Sequence, residues 1–235
     1  MFWPSQNRKK YDMQIQFLLM EAIRQADRAA TNTLLRQWAD EHGYDRLLAE
    51  VLDPTLRLIG EQWFSAESFT LAQAYVAAKV AEDALNQIMT HSSPAAAAKS
   101  TQGPIVLGNI EDDFHALGRR MVSTFLRANG WVIHDLGNDV LPALFVDKAL
   151  EVGARVIGVS AMMLTTALNI RRLREEIDRR GFKDKIQLAV GGAIFVIRPG
   201  LTQEVGGDGT AASAVSAPAL FTQLWQRSLD LEVRG

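Results

Sequence analysis

Asp113-Phe114-His115-Ala116-Leu117-Gly118 puts a carboxylate two residues before an imidazole and a glycine three residues after it, in the turn behind the apolar run Pro104–Asn109. An imidazole ligates a metal through a nitrogen that carries no proton. A carboxylate hydrogen-bonded to the other ring N–H fixes the tautomer and raises the ligand's basicity. These residue types at this spacing suit axial ligation of a metal, with ligation coupled to protonation. His115 is the candidate ligand and Asp113 its orienting partner. Taken alone, the hexapeptide equally suits a histidine held in a turn by ordinary hydrogen bonds.

Two later segments add to it. Val159-Ser160-Ala161-Met162-Met163-Leu164-Thr165-Thr166 ends one apolar run and enters a helix, and Val190-Gly191-Gly192-Ala193 ends another. A glycine pair lets backbone approach a bulky ligand, because a side chain would fill the space and only glycine takes positive φ at little cost. The same pair also suits a tight strand-to-loop turn without a ligand.

In that order, Asp-x-His-x-x-Gly, Ser160-x-Met162 and Gly191-Gly192 resemble the cobalamin-binding domain shared by methionine synthase, corrinoid methyl-carrier proteins and cobalamin-dependent regulators. The resemblance covers residues 104–229. It implies cobalamin as cofactor, in the methylcobalamin form or a related corrinoid. It also implies that His115 takes the lower face of cobalt, displacing the cofactor's dimethylbenzimidazole into a deep slot. By the same resemblance Asp113 orients the imidazole, and Thr166, six positions after Ser160, is the hydroxyl that completes the relay. Ser160 hydrogen-bonds the buried base, and Met162 packs on it where relatives usually have leucine. Asp112, Phe114, Ala116, Gly118, Leu164, Gly191, Gly192 and Ala212 complete the implied cofactor contacts. No residue of the chain is read as catalytic, since the relay only tunes the cofactor. On this reading His115→Ala removes the ligand, whereas Asp113→Asn is a milder change that alters the pH dependence of ligation.

The elements that must position these residues follow from periodicity. From Pro104 onward, short apolar runs alternate with amphipathic segments. Strands are expected near 105–108, 132–136, 156–160, 186–190 and 209–211, with helices near 116–129, 142–152, 167–180, 199–205 and 218–229. The fold class is α/β: an N-terminal all-α helical bundle, then a flavodoxin-like, Rossmann-like doubly wound parallel sheet with its ligand beyond the strands' carboxyl ends. Residues 1–91 form the bundle, 92–103 a small polar linker and 104–235 the cobalamin-binding domain.

In the bundle, apolar stripes run through Ile15, Leu18, Leu19, Ala22 and Ile23, through Leu34, Leu35 and Trp38, and through Leu47 to Ile59. Thr31 or Asn32 and Asp45 offer helix starts, Gly43 and Gly60 offer stops or bends, and Pro54 bends the third stripe. The resemblance makes this bundle a cap over cobalt's upper face. Trp63, with Phe64 and Phe69, would shield the upper ligand, although core packing suits all three as well.

The chain has 235 residues, is 48% hydrophobic, has a net charge of −2 and contains no cysteine. Disulfides, iron–sulfur clusters and cysteine zinc sites are excluded, and no basic stripe suggests a nucleic-acid surface. No secretory or membrane segment stands out, so the expected location is the cytoplasm. His42, His91 and His134 lack a second ligand at metal spacing and read as packing or surface residues.

The leading function is a corrinoid subunit that carries a methyl group between partner methyltransferases and is served by a reductive activase. Self-association is compatible with it. The alternative is a cobalamin-dependent sensor acting through a regulatory protein. The arginines after Gly118, where methyl carriers usually have an asparagine, favour the sensor. Gln73 and Ala74, where related adenosylcobalamin photoreceptors carry Glu-His, speak against it. A third reading, a flavodoxin-like domain with no corrin, lacks a Gly-x-Gly-x-x-Gly phosphate loop after the first strand.

Overall fold

The computed structural model describes residues 5–64, 70–91 and 102–234. The side chains of Trp63, Phe64 and Phe69, and linker residues 92–101, lie outside the described part. The chain divides into two compact units, Met1–Ser93 and Pro94–Gly235.

The first unit is helical: α1 (Ser5–Arg24), α2 (Arg28–His42), α3 (Tyr44–Leu47), a π-helical turn (Leu48–Leu52), α4 (Asp53–Phe64) and α5 (Leu71–His91). Leu19, Ile23, Leu35, Trp38, Leu47, Val51 and Leu52 are buried as the stripes require. Leu18 instead faces out and Met20 faces in, where it packs with Ile23, Ile59 and Ala77. The start of α2 is set by Asp27, not by Thr31 or Asn32: its carboxylate accepts the Ala30 N–H at 2.9 Å. Helix α4 runs through Gly60 without stopping there. Pro54 lies just past the π-turn, consistent with a ring that cannot donate and crowds the preceding carbonyls. Thr70 and Gln73 start α5 with a reciprocal capping box, Thr70 Oγ1 accepting the Gln73 N–H at 3.3 Å and Gln73 Oε1 the Thr70 N–H at 2.6 Å.

The second unit is a five-stranded parallel sheet of β1 (Pro104–Asn109), β2 (Val132–Asp135), β3 (Val156–Ser160), β4 (Gln187–Gly191) and β5 (Gly209–Thr210), in the order β2-β1-β3-β4-β5. Its helices are α6 (Ala116–Ala128), α7 (Pro142–Val152), α8 (Leu164–Leu168), α9 (Ile170–Arg179), α10 (Ala193–Ile197), α11 (Leu201–Glu204) and α12 (Ala217–Arg234). Alternation along β1 sends Val106 to one face, with Phe145 of α7 and Ile170, Leu173 and Ile177 of α9. Ile105 and Leu107 go to the other, with Leu126 of α6 and Phe221 and Leu224 of α12. Both faces are covered, so the strands read as continuous apolar runs. The expected helix 167–180 is in fact α8 and α9, divided at Asn169, and α10 directly after the glycine pair was not expected.

Strand order reverses between β1 and β3. The helix after β1 packs on one face and those after β3 on the other, which opens a crevice at the strands' carboxyl ends.

Candidate functional site

Three adjacent strands end in one row at that crevice. Asn109 of β1 pairs with Ser160 of β3, and Ser160 pairs with Gly191 of β4. The three motifs, far apart in sequence, are therefore neighbours across the sheet. His115 follows β1 as the residue just before α6, with no side-chain capping bond. Its side chain is half exposed, and Nε2 has no hydrogen-bond partner among the described residues.

Asp113 is wholly buried and anchors the turn. Its Oδ1 accepts the His115 N–H at 2.9 Å and Asn109 Nδ2 at 2.7 Å. Its Oδ2 accepts the Met162 N–H at 2.7 Å and the Thr166 hydroxyl at 3.0 Å. His115 Nδ1 stands 3.5 Å from Oδ1, so the carboxylate faces that ring nitrogen. Thr166 Oγ1 also lies 3.1 Å from the Met163 carbonyl, so its one proton serves the carboxylate or is shared. Asp113, His115 and Thr166 thus come together as one connected set.

Burial alone would raise the Asp113 carboxyl. Hydrogen bonds from Met162, His115, Asn109 and Thr166 outweigh that and hold it below the ordinary aspartate range. A carboxyl lowered by folding stabilises the fold above its unfolded pKa of about 3.9, and the contribution is lost as pH falls through the lower folded value. Beyond its effect on ligation, Asp113→Asn therefore carries a cost in stability. Both carboxylate oxygens accept from N–H groups, so an amide nitrogen must face at least one donor. The expected loss is about 1–3 kcal/mol, as for an unpaired buried polar group, together with loss of the acid-dependent component. Denaturant melts matching the parent's from pH 7 into acid would contradict this.

Met162, Met163, Leu164 and Phe114 are exposed around His115, and Val196 of α10 is exposed just beyond the glycine pair. These exposed apolar side chains lie on the segments that follow the ends of β1, β3 and β4. Ser160 Oγ has no partner among the described residues, and a Cβ on Gly191 would meet nothing within 4 Å. Gly192 differs: its φ is +118°, and a Cβ there would lie 2.0 Å from the Ala161 carbonyl oxygen. Gly191 borders open space, whereas Gly192 is required by the fold. Gly118 is also open, Ala116 is half-buried, and Asp112 takes φ +69° with its N–H on Asp139 Oδ1 at 2.8 Å. Ala212 is exposed two residues beyond β5.

Two members of the site went unread in the sequence. Asn109, the polar end of an apolar strand, is buried, and Arg119 is a buried arginine in the first turn of α6. The signal available was a polar residue closing β1 and a cation directly behind Gly118. Among the described residues no cluster of three or more His, Cys, Asp or Glu can hold a metal. A single half-exposed imidazole would suit a metal that arrives with its other ligands already in place.

The family described as the B12 binding domain matches residues 103–219. The chain carries a B12-binding domain. Dimethylamine corrinoid protein 2 of Methanosarcina mazei is 36% identical over 138 residues, covering 59% of this chain and 64% of that protein. Trimethylamine corrinoid protein 2 of Methanosarcina acetivorans is 29% identical over 177 residues, covering 75% and 76%. The solved structure of the Methanosarcina barkeri monomethylamine corrinoid protein matches with a TM-score of 0.74 at 25% identity, covering 91% of this chain and 99% of that one. The match with the first relative spans less than two thirds of its length. The cofactor of the B12-binding domain is cobalamin, and the half-exposed imidazole, apolar rim, free serine hydroxyl and open Gly191 suit its metal, ring and nucleotide tail. Among the described residues no helix is long and apolar enough to cross a membrane.

Proposed function

We propose that the chain is a corrinoid methyl carrier that binds cobalamin with His115 on cobalt and the cofactor's own base tucked beside Ser160 and Gly191. The observation that carries this reading is the single row Asn109–Ser160–Gly191, with the His115 imidazole held against a buried carboxylate beside it. When bound, the cofactor supplies a cobalt centre that takes up a methyl group and gives it away. The chain's own part is to hold and orient. Asp113 and Thr166 keep a proton on the far side of the imidazole, Phe114, Met162 and Leu164 support the ring, and Gly118 and Ala116 leave room beside it. Asp112 and Ala212 lie at the margins of the same surface. Trp63 belongs to the helical unit that we assign to guarding the upper ligand.

The names of the relatives support methylated amines as the methyl donors, delivered by a partner methyltransferase. We assign a second methyltransferase as acceptor and a reductive activase as the partner that restores inactive cofactor. The setting is cytoplasmic, without contact to nucleic acid or membrane, and self-association is compatible with the role. Residues 1–91 then act as the cap, 92–103 as its linker and 104–235 as the carrier domain.

Loading the full chain with hydroxocobalamin and passing it through gel filtration tests the reading. A coloured protein with bound cofactor is expected, and a colourless one would defeat it. Illumination then separates carrier from sensor. With upper ligands matched, light and dark samples should have the same size and the same affinity for co-purifying methyltransferases. A reproducible light-driven change in either would favour the regulator.

A further inference from the structure

We infer that Arg119 and Asn109 are positioning residues for His115, and that the guanidinium anchors the Asn109 amide by its oxygen while its NH2 holds the ligand turn. Arg119 is almost fully buried at the rim. Its Nε donates to Asn109 Oδ1 at 2.7 Å, its Nη1 pairs with Asp135 at the end of β2, and its Nη2 donates to Asn138 Oδ1 at 3.0 Å. Asn138 in turn donates to the Phe114 carbonyl at 3.4 Å. One side chain thus ties the ends of β1 and β2 and the loop after β2 to the turn that carries the ligand.

A guanidinium only donates, so the amide of Asn109 must turn its oxygen toward Arg119. Its NH2 then faces the other way, donating to Asp113 Oδ1 at 2.7 Å and to the His115 carbonyl at 3.1 Å. Without the guanidinium the buried Asn109 oxygen loses its donor, and the amide is free to shift while its NH2 still faces the carboxylate. The Asp113 carboxylate that it holds then shifts with it. Because Oδ1 also holds the His115 N–H and faces Nδ1, the imidazole moves with the carboxylate. Asp135 supplies the counter-charge that a buried cation needs. The arginine behind Gly118, which as a sequence feature leaned toward a sensor, thereby acquires a role in the ligand's own framework.

This inference rests on the reading of His115 as the axial ligand, and one set of variants tests the two separately. The full chain carrying Arg119→Met, Arg119→Lys, Asn109→Asp or His115→Ala is compared with the parent. Three readouts are taken: hydroxocobalamin Kd, the bound cofactor's absorption spectrum, and the amide NMR spectrum of the cofactor-free protein. Asn109→Asp is nearly isosteric and keeps the acceptor toward Arg119, but it replaces the N–H donation with a second carboxylate oxygen facing Asp113 Oδ1. Arg119→Met and Asn109→Asp are expected to raise Kd about tenfold, the usual effect of losing a group that orients a ligand. Both should shift the spectrum toward the form without histidine ligation and displace the His115 and Met162 amide resonances. Arg119→Lys should fall between them and the parent, since one ammonium cannot serve three acceptors placed for a planar fork. If Arg119→Met fails to fold, Arg119→Lys, which keeps the buried cation opposite Asp135, decides. Parental Kd, spectrum and amide positions in the folded variants, alongside loss of ligation in His115→Ala, would overturn the positioning role. A parental spectrum in His115→Ala would instead remove the ligand reading, and this inference with it.

Discussion

His115→Ala should give a folded protein that holds cobalamin weakly and shows the absorption spectrum of a cofactor without histidine ligation. The imidazole is half exposed and makes no capping bond, so its removal costs the fold little. The backbone N–H that ties residue 115 to Asp113 is kept by alanine. Only the donor nitrogen is lost. Removing a group that merely orients a ligand weakens metal binding by about 10- to 100-fold, and losing the ligand itself should cost no less. Equilibrium dialysis against hydroxocobalamin, with the spectrum of the bound fraction, reads both effects. Parental affinity together with a parental spectrum would contradict the assignment.

Gly191→Val and Gly192→Val should fail in different ways, although the two glycines are adjacent and equivalent in the sequence pattern. At Gly191 a side chain projects into open space beside Ser160, so the variant should fold and lose room for the nucleotide tail. Cobinamide, which lacks the tail, should then bind nearly as well as to the parent, while cobalamin binding falls. At Gly192 the backbone is left-handed, and the new Cβ would press on the Ala161 carbonyl. Backbone strain of that kind costs roughly 1–3 kcal/mol before the clash is added. That variant should melt earlier and lose both ligands alike. Equal losses of cobinamide and cobalamin in a stably folded Gly191→Val would show that this glycine borders no slot.

The sheet and the ligand turn were legible because their signals are local. Runs such as Val156–Ser160 are buried on both faces, and Asp113 and His115 lie two residues apart. The strand ends were read to within a residue or two, and the row Asn109–Ser160–Gly191 follows once the strands are parallel. What escaped depends on contacts distant in sequence. Asp113 looks like a partner for one imidazole, yet its carboxylate is mostly taken up by donors from Asn109, Met162 and Thr166. In the sequence Arg119 stands out only as one of the arginines where methyl carriers usually have an asparagine, until β2 brings Asp135 beside it. The division of α8 from α9 at Asn169 likewise has a distant partner, since the Asn169 side chain donates to the Glu111 carbonyl at 3.3 Å. In the helical unit, hydropathy alone could not choose between Leu18 and Met20, because both flank Leu19 and packing decides.

With His115 as the axial ligand, the lower ligand of cobalt comes from the protein rather than from the cofactor's own base. Electron paramagnetic resonance of the reduced cobalt(II) form reads that atom directly, because each cobalt line is split by the nuclear spin of the axial nitrogen. Protein grown with 15N-histidine and loaded with unlabelled cobalamin should show doublets in place of the triplets given by unlabelled protein. His115→Ala prepared in the same way should lose the doublets. Triplets that persist in the labelled protein would mean that the axial nitrogen still belongs to the cofactor, and would contradict histidine ligation.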